Sequence, residues 1–84
     1  MSKEKKINQY NAEGRKEGWW EYYYDSGKFH CKGNYTNGIL NGLWECYRNG
    51  ILIHKINFEN GILTGWNEKY GKGNLIKAEF YVNI

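Results

Sequence analysis

The sequence predicts an all-β fold: an antiparallel β-meander of repeated hairpins in a single sheet, with about three repeats of 23–24 residues. Three observations lead there. The stretch Gly18-Trp19-Trp20-Glu21-Tyr22-Tyr23-Tyr24 returns as Gly42-Leu43-Trp44-Glu45-Cys46-Tyr47-Arg48, and in worn form as Gly65-Trp66-Asn67-Glu68-Lys69-Tyr70. The copies are 24 and then 23 residues apart, a fixed period of the kind that marks stacked repeats. Within each period Gly14, Gly27, Gly38, Gly50, Gly61 and Gly73 mark half-steps of 11 to 13 residues, several of them after a turn-former, as in Asn37-Gly38, Asn49-Gly50 and Asn60-Gly61. Asn-Gly suits the two-residue hairpin turn, whose central residues both need positive φ. Between the glycines lie runs rich in Trp, Tyr, Phe and Ile, which suit a pleated, half-buried surface, and none shows a 3.6-residue apolar period.

Length and composition set the limits. Eighty-four residues allow one small domain, so stability has to come from aromatics packed between neighbouring repeats. Four Trp, eight Tyr and three Phe supply them, and the absence of Pro leaves every ladder N–H in place. No apolar run is long enough to span a bilayer and no signal-peptide core is present, so a cytoplasmic location is expected. Abundant Asn, Ile, Lys and Tyr hint at an AT-rich genome, such as that of a phage or other mobile element.

Taken in order, residues 1–6 read as a flexible polar lead-in. Ile7-Asn8-Gln9-Tyr10 resembles the tail of a repeat and predicts a short first strand covering the edge of the first repeat. The repeats then run about 18–41, 42–64 and 65–84, with strand pairs at 19–25 with 28–36, 43–48 with 51–59, and 66–71 with 74–82. Gly18, Gly42 and Gly65, four residues past a turn glycine, fit strand starts or bulges. Alternation puts Trp19, Glu21 and Tyr23 on one face with Leu43, Glu45, Tyr47 and Trp66, Glu68, Tyr70. Trp20, Tyr22 and Tyr24 take the other face, with Trp44, Cys46, Arg48 and Asn67, Lys69, Gly71; a bulge near each glycine would swap the faces midway.

The pattern Gly-x-Trp-x-x-Tyr leading to Asn-Gly, then Gly33-Asn34-Tyr35-Thr36-Asn37-Gly38 and Gly42, resembles the MORN-repeat variant of bacterial YwqK-type antitoxin-like proteins. The likeness covers about residues 7–84 and implies a single MORN-like repeat domain over 1–84. It departs from the pattern in three places. The first repeat has one extra residue between Gly18 and Gly27, Asn67 stands where Trp20 and Trp44 do, and the sequence stops at Ile84, where the next turn glycine is expected. For function the resemblance implies an antitoxin-like inhibitor, although repeat scaffolds carry many roles.

The residues themselves give no catalytic constellation, and no enzyme activity is expected. Glu21, Glu45 and Glu68 recur once per repeat, a poor way to place two carboxylates in one pocket, and read as acceptors for a neighbouring Tyr, Lys or backbone group. His30 and His54 fall in different phases of the repeat, so neither completes a nucleophile set. Gly71-Lys72-Gly73-Asn74 opens a strand, not a helix, and does not read as a phosphate loop. Pairing about a turn centred near Gly38-Ile39 sets positions that sum to 77 opposite one another, which puts Cys31 opposite or diagonal to Cys46. In a cytosolic protein they are expected to be reduced thiols. A Cys31/His54/Cys46 metal site lacks C-x-x-C spacing and a fourth ligand, so no metal or other cofactor is expected.

The net charge of +3 is mild, and Lys32 and Lys55 recur in phase as a possible basic stripe. With interleaved aromatics this gives one reading, a single-stranded nucleic-acid-binding protein. The preferred reading is a non-catalytic module that binds and inhibits a larger cytosolic protein, either a toxin or, for a mobile element, a defence nuclease effector, RNA-bound or not, as an anti-CRISPR protein does. Its anchor candidates are Tyr22, Tyr24, Phe29, His30, Arg48, Ile53, Trp66 and Phe80, taken as lying outside the repeat core. The apolar C-terminal edge strand, Glu79 to Val82, offers in addition a seam for a homodimer.

Overall fold

The computed structural model describes residues 6–82; residues 1–5 of the expected lead-in lie outside that range. Seven strands follow one another: β1 (Gln9–Tyr10), β2 (Lys16–Tyr23), β3 (Phe29–Thr36), β4 (Ile39–Arg48), β5 (Ile51–Glu59), β6 (Ile62–Gly71) and β7 (Asn74–Tyr81). They form one sheet in sequence order, every neighbour antiparallel, with no helix among the described residues. The expected meander is therefore the fold. Strands β2, β4 and β6 start earlier than expected, because they run through Gly18, Gly42 and Gly65, which sit inside them at positive φ.

Turn chemistry explains the period. At Asn37-Gly38, Asn49-Gly50, Asn60-Gly61 and Lys72-Gly73 both residues have positive φ, as a primed two-residue turn requires. The first repeat turns differently. Gly27 N donates to Tyr24 O and Tyr24 N to Lys28 O, each at 2.9 Å, which closes a three-residue loop, Asp25-Ser26-Gly27. That loop accounts for the extra residue in the first repeat. Along the opposite end the turns dock on the preceding hairpin: Gly38 N donates to Lys16 O and Gly61 N to Leu40 O, both at 2.8 Å.

A single sheet has no enclosed core, so burial comes from cross-strand rows on its two faces. On the tryptophan face one row reads Trp20, Gly33, Trp44, Ile56, Asn67, Glu79 and the next Tyr22, Cys31, Cys46, His54, Lys69, Lys77. Trp20 and Cys31 are the buried hydrophobic residues, at 7% and 8% exposure. Trp20 meets Tyr10, Tyr22 and Tyr35 at ring-centroid distances of 5.2, 5.9 and 6.1 Å, and Trp44 meets Tyr22 and Tyr35 at 5.9 and 6.1 Å. Gly33 makes this possible: a Cβ there would come within 2.5 Å of the Trp44 ring, so only glycine lets that indole lie flat on the strand. The N-terminal segment closes the cluster, with Trp20 Nε1 donating to Gln9 O at 3.0 Å and the Asn8 side chain bonding both backbone groups of Glu21 at 2.8 and 3.2 Å.

Cys31 and Cys46 face each other as expected, through a register shift between Gly33 and Tyr35, but they are joined as a disulfide and are not the reduced thiols expected. The expectation came from compartment alone. The register brings the two Cα atoms to 4.1 Å, nearer than the roughly 4.5 Å of a narrow antiparallel pair, so the sulfurs meet directly. With both sulfurs in the bridge, the Cys31/His54/Cys46 set has no thiolate to offer a metal.

Candidate protein-binding surface

The carboxylate face is built around the repeated glutamates. Glu21, 5% exposed, accepts hydrogen bonds from Trp19 Nε1 at 2.8 Å and from the Tyr23 hydroxyl at 2.7 Å, donors two residues away on either side. That hydrogen bond raises the Tyr23 phenol above its usual pKa, since losing the proton would set two anions together. Glu68 repeats the arrangement with Tyr70 at 3.3 Å. The in-phase lysines stand between the glutamates, in a row that reads Glu21, Lys32, Glu45, Lys55, Glu68, Ala78 straight across the sheet. The expected basic stripe is thus an alternating ladder with no net positive charge.

Toward β6 and β7 the same face carries apolar side chains with little over them. Trp66 and Phe80 are directly opposed and pack edge to face at 5.1 Å, yet are 52% and 60% exposed. Leu75, opposite Tyr70, is 52% exposed, and Leu43 is exposed as well. Trp66, Phe80 and Leu75 flank the small Ala78 and leave an open, shallow apolar strip, while Leu43 lies apart on β4.

A second group gathers at the Gly27 and Gly50 turns. Tyr24 is exposed, lies against the His30 ring at 4.5 Å and donates to Tyr47 O at 3.0 Å. With Arg48, Lys28 and Asn49 it lines an open hollow of about 420 Å³. His30 and Ile53 are the extra residues of two bulges, where the register skips from Cys31 to Phe29 and from His54 to Leu52. Ile76 is the third member of that series, the residue skipped between Lys77 and Leu75. Sequence reasoning missed Ile76, although a step of 23 from His30 to Ile53 to Ile76 would have found it.

The expected anchors therefore divide. Trp66 and Phe80 share one strip, while Tyr24, His30, Arg48 and Ile53 lie near the turns. Phe29, half-buried, is held between Tyr23 and Lys32, at 5.0 and 4.6 Å. Tyr22 is not an outer residue but part of the aromatic cluster, between Trp20 and Trp44. There Lys16 Nζ sits 4.9, 5.1 and 5.2 Å from the Trp20, Tyr22 and Tyr35 rings and donates to the Tyr22 hydroxyl at 2.6 Å. Lys16 went unnoticed although Trp20 and Tyr22 lie four and six residues along its own strand. Burial and the 3.2 Å hydrogen bond between the Tyr22 and Tyr35 hydroxyls raise the pKa of Tyr35.

The chain matches no family model, no curated protein and no solved structure.

Proposed function

We propose that the chain is a non-catalytic binding module that docks on a larger protein and inhibits it. The observation that carries this is the exposed strip of Trp66, Phe80 and Leu75 on one face. Large aromatics left half open to water on a rigid sheet are the usual anchors of a protein interface. The resemblance to antitoxin-like repeat proteins supplies the inhibitory role and a toxin as its object; a defence nuclease bound by a mobile-element inhibitor fits the same chemistry. The site of action is the cytoplasm in this reading, and no helix among the described residues is long and apolar enough to cross a membrane.

Direct nucleic-acid binding is the weaker reading. Base stacking needs free ring faces, and several rings here are already covered by the chain's own groups: Phe29 by Tyr23 and Lys32, Tyr24 by His30. Lysines that would meet phosphate instead lie over rings or between carboxylates.

The test is capture of the partner by tagged wild-type chain beside Trp66→Ala and Phe80→Ala, with the partner's activity assayed. Both variants are expected to fold, to bind at least tenfold more weakly, in line with roughly 1.4 kcal/mol or more per anchor, and to lose inhibition in step. Binding and inhibition unchanged in both would overturn the assignment of this strip. Salt separates the two readings, because phosphate-driven binding weakens steeply between ~50 and ~200 mM and an aromatic-anchored interface does not.

A further inference from the structure

The two edges of the sheet are finished differently. The outer strand on one side, β1, is two residues long and is pinned to β2 by side-chain bonds at Asn8, just before it, and at Gln9 O. The outer strand on the other side, β7, is eight residues long, and its residues are exposed from Asn74 to Phe80. A long open strand with Leu75, Ile76 and Phe80 on it is a template for pairing, which proteins normally blunt.

The order of residues along β7 shows what pairs with it. Leu75-Ile76-Lys77-Ala78-Glu79-Phe80-Tyr81 reads the same in both directions by chemical class: two apolar residues, a charge, alanine, the opposite charge, two apolar residues. We propose that β7 pairs antiparallel with β7 of a second copy of this chain, about a two-fold axis at Ala78, so that two seven-stranded sheets become one. In that register Lys77 of each copy faces Glu79 of the other, twice by symmetry, and Phe80 meets the Leu75-Ile76 step.

Two features of the rows favour this occupant. On the tryptophan face Lys77 stands opposite Lys69, a like-charge pair that disfavours the edge as it is. The second copy brings a carboxylate to its open side, where the chain's own Glu79 reaches it only along the strand, at 3.7 Å. On the other face the ladder has lysine at 32 and 55, and the same slot 23 residues later holds Ala78. A lysine at 78 would suit Glu68 within the chain but would face its own copy across the axis. The alternation breaks at the position where self-pairing forbids a charge.

This inference rests on the edge strand and not on the docking reading above; its readout is mass alone. Sedimentation equilibrium of the full chain, up to about 1 mM because a single strand seam is small and weak, is expected to show twice the 10.0 kDa chain mass. Lys77→Glu and Glu79→Lys each set like charges opposite one another and are expected to raise the dimer dissociation constant about tenfold. Mixing those two variants makes every facing pair opposite in charge again and is expected to restore the dimer mass. Ala78→Lys is expected to give a monomer with an unchanged or higher melting point, which separates loss of pairing from loss of fold. Monomer mass throughout, which would leave the strand for another protein, overturns the proposal. So does a dimer indifferent to these charges.

Discussion

The first and third repeats share one backbone plan and differ in what it carries. In the first, Trp20 is buried among Tyr10, Tyr22 and Tyr35, and Glu21 is held by two donors. In the third, Asn67 holds the tryptophan slot and Glu68 has a single, longer bond from Tyr70. Trp66 and Phe80 remain more than half exposed. The repeat makes strands and turns in both; burial comes only where aromatics from three or more strands converge. A repeat array can thus keep one end for stability and leave the other open for contact.

The comparison is broken or sharpened most strongly by paired tryptophan deletions. Trp20→Ala removes the centre of the cluster and is expected to cost about 3–5 kcal/mol, which a small domain barely survives. Trp66→Ala removes a side chain already half in water and is expected to cost about 1 kcal/mol or less. Equal losses in urea melts would show that the exposed strip is as structural as the cluster.

Next in size is the disulfide, which lies in the first half of the sheet. Closing the 15-residue separation between Cys31 and Cys46 is worth about 3 kcal/mol on a chain-entropy account. A reductant, or Cys31→Ser with Cys46→Ser, is expected to lower the melting temperature without changing the circular dichroism of the native sheet. Nonreducing gels of protein taken rapidly from cells would show whether the bridge forms in vivo, which depends on the redox state of the compartment. A fully reduced chain with the same melting point would remove the bridge from the account of stability.

Turn substitutions come third. Gly61 has φ +81°, and a Cβ there would come within 2.9 Å of Ile39, so Gly61→Val meets both strain and a clash and is expected to cost about 1–3 kcal/mol. Gly73 has the same φ but open space around it, so Gly73→Val meets strain alone and is expected to cost less. Indistinguishable melts would mean that the inter-repeat docking seen at Gly61 contributes little.

Much of this was legible in the sequence, and the exceptions have a common cause. Asn-Gly at half-period intervals is a local signal, so the meander and its turns could be read directly. What each residue faces is not local. A one-residue bulge at His30, Ile53 and Ile76 shifts every later pairing, and the position of Lys32 and Lys55 between glutamates depends on that register. Cys31 and Cys46 were paired correctly through two offsetting steps: the turn is centred on Asn37-Gly38, so the pairs beside it sum to 75, and a two-residue shift between Gly33 and Tyr35 raises the sum to 77. Tyr22 was misjudged because its ring is covered by Trp44, two strands away, as well as by Trp20 and Lys16 of its own strand. Of the candidate strip, Trp66 and Phe80 were visible as surplus aromatics, while Leu75 looked like an ordinary strand residue.

The smallest expected effect is alkaline, and it probes the buried end alone. Tyr35 is half-buried against Trp20 and Trp44 and shares a hydrogen bond with Tyr22, so its phenol holds its proton above the ordinary value of 10.0. The folded state therefore binds this proton more tightly than the unfolded chain does. Its contribution is fully present below pH 10.0 and is lost as pH rises beyond that, through the folded-state value. Tyr35→Phe removes the ionisation while keeping the ring, so its stability is expected to fall less between about pH 9 and pH 11 than that of the wild type. Parallel slopes for wild type and Tyr35→Phe would mean that the cluster opens to water before the phenol ionises, and that the first repeat is looser than its packing indicates.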